Sequence, residues 1–290
     1  MPTDQTRRFL LENIDIRGAW VRLDSAWQSL AAGRNYPPPV ADLLGEMAAV
    51  SVLLAANLKH AGRLTLQIQG NGPISLLVVD CDEQLRLRGM ARYRDTDADA
   101  VAPATVPELL GHGQLALTLD AVALKQPYQS LVPLQGDSLA AIFEHYLTQS
   151  EQQPTRLIIK AHADRVVGLF LQALPGATDK DPDAWQRVNL IADTLKGDEL
   201  LATEVADLLP RLFPEDDIRL YDPRTVTHHC PKDWEKIHTM LRSLGQAECD
   251  ASLKEHGEVL VHDDLCGHDY RLDAAAIAAL FAASFATLRP

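Results

Sequence analysis

The chain has 290 residues, 47% hydrophobic and 23% charged, which is enough to bury a sizeable core and rules out a disordered or collagen-like chain. Forty acidic against 27 basic residues leave a net charge of −13, which argues against non-specific nucleic-acid binding. Four cysteines are too few for a disulfide scaffold, and the length suggests about two domains of roughly 150 residues each.

The N-terminus, MPTDQTRRFLLENID, has no apolar core of export-signal length. The most apolar stretch, Met47 to Leu58, is about a dozen residues against the roughly 20 needed to span a bilayer. It reads as part of a buried core helix, and the chain as cytosolic, with no membrane partner. Pro37-Pro38-Pro39 precedes that helix, predicted over Val40 to Lys59. Leu64, Leu66 and Ile68 then alternate with Thr65, Gln67 and Gln69, the period of a half-buried strand. Gly70-Asn71-Gly72-Pro73 breaks it and Ile74 to Val79 resumes, which predicts a hairpin. Further strands are expected from Leu85 toward Tyr93, at Leu115 to Leu119, at Arg156 to Ala161 and at Val166 to Leu174. Leu139, Ile142, Phe143, Tyr146 and Leu147 mark a helix behind an Asp137/Ser138 N-cap. The expected class is α+β with a largely antiparallel sheet.

The character changes at Pro175-Gly176. Gly176 to Leu220 holds 11 Asp/Glu against 5 Lys/Arg. Two short amphipathic helices are predicted there, broken at Gly197 and stopped by Pro210 and Pro214. Trp185, Val188, Ile191 and Leu195 form one apolar stripe; Leu201, Val205, Leu208, Leu209, Leu212 and Phe213 form the other. Such a segment is either an ordinary helical connector or a marginal element whose stripe can be exposed on demand. From Thr227 onward a helix (Trp234 to Leu244), a strand pair (Gly257 to Val261, Tyr270 to Leu272) and a last helix (Asp273 to Leu288) are predicted. So small a block needs a metal, a disulfide or a docking partner.

No GxSxG, HExxH, GxGxxG or GxxxxGK[ST] pattern is present, so an enzyme is disfavoured. Asp80, Asp82 and Glu83 read as a solvated acidic turn. His145 reads as a helix-surface residue, and His162 with Asp164 lacks a nucleophile beside it. The soft donors concentrate elsewhere. Of 14 Cys and His residues, nine (Cys230, Cys249, Cys266, His228, His229, His238, His256, His262 and His268) follow Thr227, where even scattering would leave about three. His228 or His229 with Cys230, and His262 or Asp263 with Cys266, would complete a tetrahedral zinc set.

Several blocks in order resemble the heat shock protein 33 family, the redox-regulated 33 kDa chaperonins. They are NYPPPV (Asn35 to Val40), QIQGNGPISLLVV (Gln67 to Val79), RGMAR (Arg88 to Arg92) and the run from Tyr128 to Leu157. YDP (Tyr221 to Pro223), LRSLG (Leu241 to Gly245), GEVLV (Gly257 to Val261) and CGHDYRL (Cys266 to Leu272) continue the series. The resemblance implies an α+β core, a metastable helical linker and a C-terminal zinc domain. It also implies ATP-independent capture of unfolding client proteins under oxidative stress, and monomer and dimer forms. The family's switch is a CxC pair followed by a CxxC pair. Cys230 matches the first position of CxC and Cys266 the last of CxxC, but Lys232 and Asp263 stand at the other two.

Two readings of the remnant follow. Cys230 and Cys266 hold zinc with help from His228, His229, His262 or Asp263, or the site is metal-free and a Lys232–Asp263 ion pair replaces the ion. The second is preferred, because lysine is not a routine zinc ligand; zinc is then absent or weakly bound. A single Cys230–Cys266 disulfide would tie the domain together, so activation is expected to be thermal or constitutive. Cys249 and Cys81 match no switch position. The expected organisation is a core over 1–175, a linker over 176–226 and a degenerate zinc-binding-like α+β domain over 227–290. Client proteins are expected on the linker stripes or the neighbouring sheet. The alternative from another class is a metal-binding regulatory or interaction module; nucleic acid is not an expected partner.

Overall fold

The computed structural model describes residues 4–58, 61–94, 105–121, 123–124 and 126–286; Lys59 and Leu288, the expected ends of two helices, lie outside them. The described residues divide into two compact units, Met1–His229 and Cys230–Pro290. The class is α+β, as the alternating and helical patterns predict.

The first unit is built on two sheets. One has the order β10-β1-β2-β9-β8, with β11 also paired to β1. Its strands are β1 (Gln5–Leu11), β2 (Ile16–Leu23), β8 (Thr155–His162), β9 (Arg165–Ala173), β10 (Ile218–Leu220) and β11 (Arg224–Thr225). The other runs β12-β5-β4-β3-β6-β7, from β3 (Gly62–Gly70), β4 (Ile74–Cys81), β5 (Arg86–Tyr93), β6 (Gly113–Ala121), β7 (Tyr128–Pro133) and β12 (Thr227–His228). Every pairing in the two is antiparallel except β12 with β5.

Helix α2 (Pro38–Ala56) enters the layer between them, its Pro38 at the first helical position where a missing N–H costs nothing. It is long and apolar enough to cross a membrane, but most of it is buried, and its Leu43, Met47, Val50 and Leu53 belong to the same core as residues of both sheets. The hairpin at Gly70 to Pro73 is present, joining β3 to β4, and β4 carries a bulge between Ile74 and Leu76 in its pairing with β5. Helix α1 (Ser25–Ala31) precedes α2, α3 (Val106–Leu110) caps the end of the second sheet, and α4 (Leu139–Glu151) starts behind Ser138, whose Oγ accepts the Ala141 N–H at 3.1 Å.

The first sheet is buried on both faces. Successive residues along its central strands go to opposite cores: Val21 and Phe170 to the α2 side, Trp20, Val167 and Leu169 to the other. This is why β9 reads as a continuous apolar run. Gly18 is required by close approach, since a Cβ there would lie 2.0 Å from the Phe9 ring. The predicted acidic turn is corrected. Asp80 and Asp82 are buried, not solvated, because their partners lie in the β4–β5 hairpin and on the neighbouring strand β3, while Glu83 is exposed as expected. Asp82 Oδ1 accepts from the Gln84 and Arg86 N–H groups at 3.0 and 2.9 Å, and its Oδ2 from Arg86 Nε at 2.7 Å. Burial pushes this carboxyl up, but those donors outweigh it and hold it below the usual range. Asp80 takes Arg88 at 2.8 Å and Thr65 at 2.7 Å.

The second unit has α9 (Trp234–Leu244), α10 (Gln246–His256), the hairpin β13 (Val259–Asp263) and β14 (His268–Leu272), and α11 (Ala274–Ala286). Its described core is Ile237, Leu241, Cys249, Val259, Tyr270, Leu272, Ile277, Leu280 and Phe281.

Candidate functional site

Two places carry the residues that the sequence marks out. The first is the linker layer. In the structure, residues 176–226 contain four short helices rather than two: α5 (Ala177–Lys180), α6 (Ala184–Ala192), α7 (Gly197–Ala202) and α8 (Val205–Leu212). Pro210 does not stop α8 but lies exposed within it, so its missing N–H costs one bond near the last turn while the packed face is kept. Val188, Leu195, Val205, Leu208, Leu209, Leu212 and Phe213 are buried, and Trp185, Ile191 and Leu201 are half-buried. They face Phe9, Leu11, Ile16, Trp20, Leu169 and Leu171 on the outer side of the first sheet. The sequence stripes miss Ala184, Ala192 and Leu200, which complete this face.

Charge clips hold the edges of the layer. Arg156 Nη2 meets Asp193 at 2.5 Å and Lys180 Nζ meets Asp15 at 2.8 Å, while Arg22 pairs with Glu204. Arg187 meets Asp216 at 3.0 Å, and the Asp216 side chain is almost fully buried. Part of the acidic excess of this segment is therefore matched to basic residues of the sheet beneath. Between α6 and α8 an open groove of about 560 Å³ is lined by Ile191, Leu212 and Phe213 and by Leu190, an exposed leucine.

The second place is the cysteine pair of the C-terminal unit. Cys230 opens the unit ahead of α9, and Cys266 sits in the β13–β14 turn. The two are joined by a disulfide with Cα atoms 5.6 Å apart. The turn is shaped by Asp263, whose Oδ1 accepts the Leu265 N–H at 3.1 Å, and by Gly267, whose positive φ of 68° suits glycine.

Five further contacts join residues 230–234 to this hairpin. His268 Nε2 donates to the Cys230 carbonyl at 2.6 Å; a carbonyl only accepts, so that nitrogen carries the proton. Lys232 Nζ donates to the Asp269 carbonyl at 3.0 Å and lies 5.5 Å from the Tyr270 ring centre. The Asp233 N–H donates to the Tyr270 hydroxyl at 2.7 Å, and Trp234 stacks edge-on against the same ring at 4.9 Å. The expected Lys232–Asp263 ion pair is thus replaced: the ammonium is drawn to a carbonyl and a ring face, and Asp263 is occupied by its own turn. Tyr270 carries no metal-ligand signal, and His268, one of the nine gathered soft donors, holds backbone instead.

His262 Nδ1 lies 2.7 Å from Asp269 Oδ1, and that hydrogen bond holds the Asp269 carboxyl below its usual range. His228 and His229 belong to the first unit, where His228 pairs with Leu87 in β12. Cys249 is buried in the second core, its thiol pushed up by that burial, and Cys81 is buried in the first unit with its thiol pushed up in the same way.

The comparisons with known proteins fit this layout. The model of the family described as Hsp33 protein matches residues 4–273. The chain belongs to the Hsp33 family. A 33 kDa chaperonin of Pseudomonas aeruginosa is 41% identical over 286 residues, covering 97% of this chain and 95% of that protein. One of Methylobacillus flagellatus is 37% identical over 281 residues, covering 96% and 94%. The crystal structure of the 33 kDa chaperonin of Thermotoga maritima, 21% identical, superposes with a TM-score of 0.82 over 98% of this chain and 99% of that one, which shows the shared fold. Family and names support a chaperone, whose partners are client proteins.

A structural zinc ion wants four Cys or His donors in a tetrahedron. Among the described residues no group of three or more His, Cys, Asp or Glu side chains is gathered in a way that could hold a metal. Two sulfurs converge, but the neighbouring positions hold a cation and a carboxylate committed to its turn. The residues present do not fit a four-donor zinc site.

Proposed function

We propose that this chain is an ATP-independent cytoplasmic holdase that exposes its linker layer to unfolding client proteins on heating. The observation that carries the reading is the mismatch between the layer's surface and its support. Trp185, Val188, Ile191, Leu195, Leu201, Val205, Leu208, Leu209, Leu212 and Phe213 cover one face of the first sheet from three helices of 9, 6 and 8 residues and the residues that follow them. Helices so short have no stability of their own and persist only by packing. Their release would uncover two apolar surfaces at once, the helix stripes and the sheet beneath, while the acidic residues keep the open form soluble. The three-part division, with 1–175 as core, 176–226 as linker and 227–290 as C-terminal domain, is proposed in this functional sense.

The test is aggregation of a thermally unfolded client at rising temperature, without nucleotide. Suppression is expected near one chain per client, together with new protease cleavage between 184 and 213. Suppression at catalytic amounts, or only with ATP, would sink the reading. Activation is proposed to be thermal rather than zinc-coupled, with zinc absent or weakly bound. Metal analysis of chain purified under reducing conditions checks this; one zinc per chain, lost on Cys266→Ser, would overturn it.

A further inference from the structure

We infer that the cavity at the C-terminal end of α2 is a binding site for a small organic anion, an oxyanion head on an apolar body. The cavity measures about 550 Å³, within the size range of sites that take small molecules. It lies where α2 ends at Ala56 while the first sheet continues beneath it. Arg8 and Arg17 supply its charge, Leu10, Leu58 and Leu174 its apolar wall, and Tyr221 flanks them. The chain as a whole carries a net charge of −13, yet among the described residues no Asp or Glu lines this cavity.

The sheet register brings the charges together. Arg8 stands opposite Ala19, and Leu10 opposite Arg17. Alternate residues of a strand share a face, so Arg8 and Arg17 are diagonal neighbours on the face that α2 covers, with Cβ atoms about 7–8 Å apart. That spacing lets two long side chains reach one small anion. Each guanidinium is held by a neutral partner. Gln172, buried beside Arg17 on β9, accepts from Arg17 Nε at 2.8 Å. Arg8 lies over the Tyr221 ring, 5.6 Å from its centre. Tyr221 is itself fixed to β1: its N–H donates to the Arg8 carbonyl at 2.9 Å, and its carbonyl accepts from Arg7 Nε at 3.0 Å. Glu12, just past the end of β1, is taken by Arg219 at 2.6 Å. A bare helix C-terminus would repel an anion, but this one is capped. The Leu53, Leu54 and Ala55 carbonyls accept from Asn57 Nδ2, the Asn57 N–H and the Leu58 N–H. An oxyanion can therefore take charge-assisted hydrogen bonds from the arginines while its body covers the leucines. A carboxylate and a phosphate monoester both fit; an inorganic ion lacks the body and an alcohol lacks the charge.

The experiment is calorimetric titration of the full chain with octanoate and, separately, with octyl phosphate, each below its micelle-forming concentration. Acetate and 1-octanol serve as the head and the body alone. One saturable site per chain is expected for at least one of the two amphiphiles, and the tighter of them names the head group. Arg8 is exposed, so Arg8→Gln should fold normally; it is expected to weaken that binding about 10–100-fold, and Arg8→Lys less. Leu174→Glu, which sets an acid on the half-buried wall, is expected to abolish it. Arg211→Gln serves as the control for the groove between α6 and α8, which Arg211 lines, and should leave binding unchanged. Equal binding of 1-octanol, no saturable binding of either amphiphile, or an affinity that falls with Arg211→Gln and not with Arg8→Gln would each overturn the site. Binding is measured without any client, so its failure and that of the holdase reading are separate results.

Discussion

The linker layer and the C-terminal unit are both small apolar assemblies, and they are secured by opposite means. The layer borrows one wall: its helices bury side chains such as Val188, Leu208 and Phe213 against Trp20 and Leu169 of a sheet already held on its other face by α2. The C-terminal unit must supply both walls itself, and joins them with Cys230–Cys266 and the bonds around Tyr270. The difference assigns each region its own failure. On the holdase reading the layer leaves while the sheet beneath stays, held on its other face by α2. The unit is restrained locally, by a disulfide and the contacts around Tyr270.

Phe213→Ala attacks the borrowed wall and has the largest expected effect. Truncating this buried ring should cost about 3–5 kcal/mol. Protease sensitivity at 184–213 should rise, with client holding at lower temperature, and the C-terminal unit should be unchanged by hydrogen exchange. Uniform loss of protection over both units would break the comparison.

Glu46→Gln sharpens it through pH. Burial pushes the Glu46 carboxyl up to about 7, Asp42 one turn earlier adds to the rise, and Lys160 of β8 opposes it. The stem of Lys160 packs at Gly197, the first residue of α7, so this charge lies near the seam of the linker layer. The folded state keeps the proton to a higher pH than the unfolded state does. Stability from this group is therefore full below about 4.5, declines as pH rises toward 7, and is level above that. Denaturation from pH 5 to 8 should show a decline of up to about 3 kcal/mol that flattens in the variant; an unflattened slope would place the proton elsewhere.

Asp216→Ala removes the clip to Arg187. Because the carboxylate is buried and the guanidinium partly exposed, the loss should be about 2 kcal/mol, read as a lower denaturation midpoint. In the other region, Tyr270→Phe deletes one hydrogen bond to the Asp233 N–H. It should cost about 1 kcal/mol, confined to peptides of the C-terminal unit in exchange experiments. Smallest is Arg219→Ala, which opens the exposed Arg219–Glu12 pair at 2.6 Å. A change of about 0–1 kcal/mol is expected, and a larger one would mean that the charged rim does more for the layer than its apolar face.

Much of this was legible where the signal is local. The Gly70 to Pro73 turn, the alternation at Leu64 to Ile68 and the helix after Ser138 each depend on residues a few positions apart, and each is present. The linker stripes were legible for the same reason. Strands β1 and β2 were not, because QTRRFLL alternates poorly and is strand only by pairing with β2, β10 and β11. Helix α10 escaped because it buries little beyond Cys249 and so carries no stripe to read. Edge strand β7 was hidden by its exposure, with Tyr128 and Leu131 turned to solvent.

By itself the sequence determined the α+β class, the apolar stripes of the linker and the gathering of soft donors at the C-terminal end, since composition and short-range period carry all three. Only the tertiary structure decided which partners these residues take. Burial of the first sheet on both faces, Lys232 at a carbonyl and a ring in place of Asp263, and the meeting of Cys230 with Cys266 each depend on chain segments far apart in sequence. Side-chain type states what a residue can bond to, but folding chooses among the candidates, because only the folded backbone brings one of them within a few ångströms.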